Sequence, residues 1–396
     1  MSCKLIVAKD KEIVYCALID NDKRLVELNV SKDNSNDLIG KIIIGKVINV
    51  VKGMNAAFVN IGLDKNAYMS LDSSLDIHYT KRNSNNKISN GDEIVVQIEK
   101  DAFGTKGCVV TPNISLTGRY VVLTKGKNFI GLSNKIRQPE EKKRLKTLVE
   151  PYITDEYGFI IRTNANNKDS DIIEMEIKEL IEKYTNIMNI ANYRTCYTEI
   201  YSGISSVLKS IRDMNDRNID EYIIEDNDIY NQVYEYVQQS NSNLVDKLTL
   251  YQDNNLSLFN LYGLKSKINK ALNEKIWLKS GGCIVIQPTE ALVSIDVNTA
   301  KFTGKKNLQD TIFKTNIEAA KEIAYQLRLR NLSGIIIVDF IDMKKEEHNI
   351  QLLEKFKLYL SSDRNKVYLM GMTKLGLVEI TRKKTNKPLY EQMKEL

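Results

Sequence analysis

Two short apolar runs, residues 291–295 (ALVSI) and 334–338 (GIIIV), each stop at a carboxylate, Asp296 and Asp339. Between them Leu308, Ile312, Ala319, Ile323 and Leu327 recur at multiples of three to four residues, the period of an amphipathic helix. The pattern predicts strand, helix, strand over residues 281–343. If the two strands are parallel, a crossover sets their carboxyl ends side by side, where open α/β sheets place their chemistry. Asn298 follows the first acid by two residues.

Elsewhere the pattern is more ordinary. Residues 1–30 alternate apolar and polar in three bursts, which predicts an antiparallel meander too small to close a core alone. Short strand patterns between residues 41 and 111, punctuated by Gly45, Gly53, Gly62, Gly91 and Gly107, predict a small β-barrel. Within it Ala57, Val59 and Ile61 share one face, whereas Phe58 shares the other with Asn60. An aromatic on a polar face is a candidate base-stacking platform, with Tyr68 and Lys106 as companions; alternatively it covers a loop or joins the core of a twisted barrel.

From Gly118 strand and helix patterns alternate. Residues 156–163 read as a buried strand ending in Arg162 and Thr163, a charged fork plus a hydroxyl that can grip a phosphate, or simply a solvated strand end. Long helical spacing follows over 172–192, then a helix over 203–214, a strand over 219–226 and a helix over 230–239. A strand and helices over 215–280 can complete the N-terminal meander, which would make that domain discontinuous. The tail after Met343 carries a helix, a strand (KVYLMGM) and a basic end whose composition suggests mobility.

Composition narrows the classes. A chain of 396 residues should divide into two to four domains; 42% hydrophobic and 27% charged residues describe a globular protein, and a net charge of +6 permits an anionic partner without requiring one. Cys3, Cys16, Cys108, Cys196 and Cys283 form no CxxC pair and are odd in number, as expected of reduced thiols in a cytoplasmic protein. With only His78 and His348 there is little to build a zinc site or a histidine triad. No apolar run reaches the roughly 20 residues needed to span a bilayer, and the charged start argues against a signal peptide.

Asp296, Asn298 and Asp339 therefore need a reason. Two carboxylates brought together repel unless a cation lies between them, and hard oxygen donors suit Mg²⁺. Otherwise a strand-end aspartate simply caps the next turn. Asp342 offers a second acid in DFID, but strand parity and the apolar run favour Asp339. Lys301, Lys305 and Lys306 read as phosphate-side charges or as a solvated loop.

The segment GGCIVIQPTEALVSIDVNTAKFTGKKNLQDTIFKTNIEAAKEIAYQLRLRNLSGIIIVDFIDM resembles the signature of the ribonuclease E/G family of bacterial endoribonucleases, and KIIIGKVINVVKGMNAAFVNIG, GFIIRT, LTLYQ and TKLGLVEITRKKT are similar to it more weakly. The resemblance implies a multidomain α/β fold: a discontinuous ribonuclease-H-like subdomain (1–37 and 215–280), an inserted S1 barrel of OB type (38–118), a 5′-sensor unit (119–214) and a DNase-I-like catalytic subdomain (281–396). It implies that Asp296 and Asp339 bind Mg²⁺ and that Asn298 is catalytic. It further implies that Phe58, Tyr68 and Lys106 bind RNA, and that Gly118, Val122, Arg162, Thr163 and Lys366 sense a 5′ phosphate.

Three departures qualify this. Members continue into a CPxC-type motif that shares zinc between protomers, whereas this chain ends at Leu396 without a CxxC, so neither zinc nor a zinc-linked dimer is expected. Lys366 stands where arginine is usual, keeping the charge but losing the fork. Thr299-Ala300 replaces the usual Ser-Gly. The expected activity is Mg²⁺-dependent cleavage of single-stranded RNA, leaving 5′ phosphate and 3′ hydroxyl and favouring 5′-monophosphorylated RNA. The competing expectations are an RNA-binding protein with weak or lost catalysis and, less favoured, a phosphoesterase acting on DNA or small nucleotides.

Overall fold

The computed structural model describes the chain except residues 1–2, 34–37, 73–75, 84–86, 103–106, 127, 214–218, 241, 300–307 and 395–396, and the side chains of 239, 240, 242, 243 and 308. The described chain forms two compact units, one of residues 1–34, 216–232 and 247–396, the other of 35–215 and 233–246.

In the second unit, strands Ile42–Val51, Ala56–Asn60, Ala67–Ser70, Val109–Thr111 and Glu93–Lys100 pair in that order, and the last returns to the first through Ile42↔Gln97 to Lys46↔Glu93. Closure makes a five-stranded barrel. Its interior is the alternate set Val47, Val59, Ala67, Met69, Ile94 and Val96, each nearly inaccessible to solvent. Gly45 lets the crossing strands meet, because a Cβ there would lie 2.5 Å from Val59 Cγ1.

Beside the barrel, strands Ser115–Thr117, Val121–Lys125, Tyr157–Ile161 and Ile130–Leu132 form a second sheet. Helices Pro139–Val149 and Ser170–Ala191 contribute Leu145, Val149, Ile173, Ile177, Leu180 and Tyr184 to one core with Tyr120, Leu123 and Phe159. The helical period of those residues is why the long helix forms.

In the first unit, Cys3–Asp10, Ile13–Asp20 and Leu25–Lys32 make the antiparallel meander. Its missing partners are Ile219–Ile224 and Leu248–Leu250, added in parallel beside Cys3–Asp10. The basic tail differs from its sequence reading. It ends in a helix, Leu389–Lys394, whose Leu389 is buried in the core with Ile6, Leu28 and Ile268, and Val30 N–H donates to Gln392. One apolar anchor outweighs the surrounding charge.

The remaining sheet runs Lys275–Trp277, Cys283–Pro288, Leu292–Asn298, Gly334–Asp339, Leu377–Arg382, Val367–Met372. Only the central two strands are parallel, joined through helix Leu308–Leu329. Val293, Ile295, Val297, Ile336, Val338, Val378 and Ile380 on one face share a core with Ala319, Ile323, Leu327, Leu352 and Phe356 of the helices. At roughly 1.5–3 kcal/mol for each large side chain buried, that face fixes the register. The opposite face is exposed at Ser294, Asp296, Asn298, Ile335, Asp339 and Glu379.

Candidate active site

Register brings the acids together. Asp296 and Asp339 are direct partners across the parallel pair, one step beyond the buried partners Ile295 and Val338. Strands so paired lie about 4.8 Å apart, and partners point to the same face. Both carboxylates are exposed. The first strand does not stop at Asp296, as the apolar run implied. It continues to Asn298, because antiparallel pairing Val285↔Asp296 and Cys283↔Asn298 extends the ladder. Two residues further along a strand is the same face, and Asn298 Nδ2 donates to Asp296 Oδ2.

Neighbouring residues hold these positions. A Cβ at Gly282 would meet Thr315 Cγ2 at 2.9 Å and Asn298 O at 3.0 Å, so glycine permits the close approach. Asn316 is fully buried; its Nδ2 donates to Ile341 O at 2.8 Å while Ile341 N–H donates to its Oδ1 at 3.2 Å, fastening the loop that follows Asp339. Asp342 is exposed beyond that loop. Ala300, Lys301, Lys305 and Lys306 lie outside the described residues.

Among the described residues no group of three or more His, Cys, Asp or Glu side chains could hold a metal ion. What is present is a pair of hard oxygen donors. Such a pair fits a cation that keeps most of its coordination for water and phosphate, as Mg²⁺ does.

On the barrel, Phe58 and Tyr68 are register partners whose rings meet edge to face at 6.2 Å and 75°, both half-buried. Ala57, Val59 and Ile61 are buried on the other face. Lys106 lies outside the described residues.

The second sheet gathers Gly118, Val122, Arg162 and Thr163. Arg162 Nη1 donates to Gly118 O at 2.6 Å, Val122 pairs with Thr117 and Ile160, and Thr163 Oγ1 lies 2.8 Å from Ser133 Oγ. Glu176, on the buried face of Ser170–Ala191, accepts from the N–H groups of Arg119, Tyr120 and Val121 at 2.7, 2.7 and 2.9 Å. Burial pushes its carboxyl up, against the lowering pull of those three N–H groups. A Cβ at Gly118 would collide with the Glu176 carboxylate. Lys366 belongs to the first unit, where it is exposed and its carbonyl accepts from Lys383 N–H at 2.9 Å.

Sequence reasoning passed over Glu176, Asn316 and Asp213. The signal for Glu176 was present, since a carboxylate three residues after Ile173 and one before Ile177 occupies an apolar-stripe position. Asp213 ends the helix Ser206–Asp213 and accepts from Arg162 Nη2 at 2.7 Å and from Arg212 Nε at 2.9 Å. Burial raises its carboxyl, but the hydrogen bonds and charges of Arg212 and then Arg162 prevail and hold it down at about 2.

With paired acids on an open sheet face and a closed barrel bearing edge-to-face aromatics in place, comparison with known proteins defines the class. The Ribonuclease E/G family matches residues 115–385. The chain is 35% identical to Ribonuclease G of Salmonella typhimurium (strain SL1344) over 395 residues, which is 97% of this chain and 80% of that protein. It is 36% identical to Ribonuclease G of Haemophilus influenzae over 375 residues, 92% and 76% of the two chains. Against Ribonuclease E of Nostoc sp. the identity is 32% over 396 residues, 99% of this chain and 57% of that longer protein. The chain belongs to the ribonuclease E/G family.

Proposed function

We propose that this member of the family cleaves single-stranded RNA with a divalent cation, Mg²⁺, held by Asp296 and Asp339, in RNA processing or decay. That it is an endoribonuclease follows from the family; the metal, the products and the end preference are the proposal. One observation carries it: two carboxylates in register on the open face of a sheet, with a side-chain amide on the same face.

A cation held there supplies Lewis-acid polarisation of a phosphate oxygen and a lowered pKa for a bound water. The chain's own residues do the rest. Asp296 and Asp339 set the position of positive charge above the sheet, and the shared core beneath keeps them from parting. Asn298, tethered to Asp296, presents its amide toward the scissile phosphate or the attacking water. Water attack on the phosphorus, with the bond to the 3′ oxygen breaking and that oxygen taking up a proton, would leave a 5′ phosphate and a 3′ hydroxyl.

The other segments hold the strand. Phe58 and Tyr68 stack bases, with Lys106 supplying charge, in a barrel of S1 type (38–118). Gly118, the last residue of that barrel span, receives the 5′ monophosphate together with Val122, Arg162 and Thr163 of a sensor unit (119–214). The other proposed subdomains are ribonuclease-H-like (1–37 and 215–280) and DNase-I-like (281–396). A cytoplasmic setting suits the five free cysteines. Among the described residues no helix is long and apolar enough to cross a membrane.

A 5′-labelled single strand incubated with Mg²⁺ and with chelator tests the reading: internal fragments appear only with the metal, and identical patterns would favour a protein that binds RNA without cutting it. Phe58→Ala is expected to weaken single-stranded RNA binding by about 5- to 150-fold, the loss of one base stack of roughly 1–3 kcal/mol. Titration by fluorescence anisotropy measures it, and unchanged affinity would return Phe58 to a purely structural role.

A further inference from the structure

We propose that Asp213 is a positioning residue for recognition of the RNA 5′ phosphate, fixing the guanidinium of Arg162 while Arg212 neutralises it. This rests on the end-sensing reading of Arg162 given above. Arg212 grips the carboxylate with a two-pronged fork, Nε to Oδ1 at 2.9 Å and Nη2 to Oδ2 at 3.1 Å, whereas Arg162 takes a single bond from Nη2 to Oδ1 at 2.7 Å. The forked pair is the stronger. The negative charge of Asp213 is therefore spent mainly on Arg212, and Arg162 keeps its own for a ligand.

The cluster also grips the backbone around Gly118. Arg212 Nη1 donates to Thr117 O at 3.2 Å and Arg162 Nη1 to Gly118 O at 2.6 Å. The next three N–H groups are held from the other side by Glu176. With one guanidinium nitrogen on Gly118 O and another on Asp213, the plane of Arg162 is defined, and further N–H groups of the fork remain for a phosphate. Two arginines and one carboxylate sum to a single positive charge, set against a terminal phosphate of about −1.5 to −2 at neutral pH. Arg162 and Asp213 side chains retain 23% and 32% exposure, so a chain end can reach them; Arg212, at 13%, is the more enclosed support.

An acid beside an arginine can instead act as a stand-in for the phosphate, to be displaced on binding. The fork to Arg212 argues against displacement, because moving Asp213 would break its bonds to both arginines at once. The two roles predict opposite signs. A positioning acid raises discrimination for the phosphate, and a stand-in lowers it.

The test compares kcat/KM on two RNAs differing only in a 5′ monophosphate or 5′ hydroxyl, for the full chain and for Arg162→Ala, Asp213→Asn and Asp213→Ala. Taking the ratio of the two substrates within each preparation removes any difference in folded fraction. The wild-type ratio is expected above one, and Arg162→Ala to abolish the excess. Both Asp213 variants are expected to bring the ratio within about twofold of one, because an unoriented guanidinium keeps its charge but loses its geometry. A wild-type ratio in the Asp213 variants, with the excess still lost in Arg162→Ala, would overturn the positioning role alone. A raised ratio would overturn it too, in favour of the stand-in. A wild-type ratio of one would overturn the end-sensing reading and this inference together.

Discussion

Asp296→Asn and Asp339→Asn are each expected to slow RNA cleavage by about a thousandfold, the loss of roughly 4 kcal/mol of charge stabilisation in the transition state. Asparagine preserves the size and the strand pairing, and the buried partners Ile295 and Val338 that set the register are untouched. Because both carboxylates are exposed on the sheet's open face, folding stability should change by no more than about 0.5 kcal/mol. RNA affinity should survive, since the aromatics proposed to stack bases, Phe58 and Tyr68, lie on a separate sheet. On the proposed reading the two residues share one cation and act as a unit, so the double variant should be hardly slower than either single one. Single-turnover cleavage of a labelled strand, with binding measured in parallel, checks all of this. Full activity in either variant would remove these acids from the mechanism.

The acids were legible in the sequence because a core strand has no use for a carboxylate, so each apolar run visibly stopped at one. Their exact placement was not. The run ended at Asp296, but pairing with Cys283–Pro288 carries the strand on to Asn298, and that pairing is a property of the neighbour. Phe58 was legible by parity alone, since its neighbours Ala57 and Val59 are both fully buried. The cluster around Arg162 was half legible. Arg162 stood out at a strand end, whereas Asp213 lies 51 residues away and meets it only through the fold. Glu176 and Asn316 were hidden for a related reason: each is a polar residue inside an apolar helix stripe, satisfied by backbone groups that no local pattern specifies. The tail shows the converse error, charge composition being read as mobility where Leu389 is anchored.

Asp363→Ala is expected to destabilise the first unit by about 3–5 kcal/mol, the cost of leaving a buried charge without its partner. Arg382 and Asp363 are 3% and 5% exposed, joined from Nε to Oδ2 at 2.8 Å. Arg382 also donates through Nη1 to Asn331 Oδ1 at 2.9 Å and to Leu332 O at 3.0 Å, but those neutral acceptors cannot balance its charge. The effect bears on the strand that ends in Asp339. Arg382 pairs with Gly334 at one end of the ladder whose other end is Asp339↔Leu377, so loosening it frees the start of the strand that carries the acid. Replacing both members, Asp363→Ala with Arg382→Met, should recover much of the loss, because the cost lies in the unpaired charge rather than in the absence of the pair. Urea unfolding of the two variants decides it. A double variant as unstable as the single one would mean that Arg382 contributes chiefly through its bonds to Asn331 and Leu332, with the carboxylate secondary.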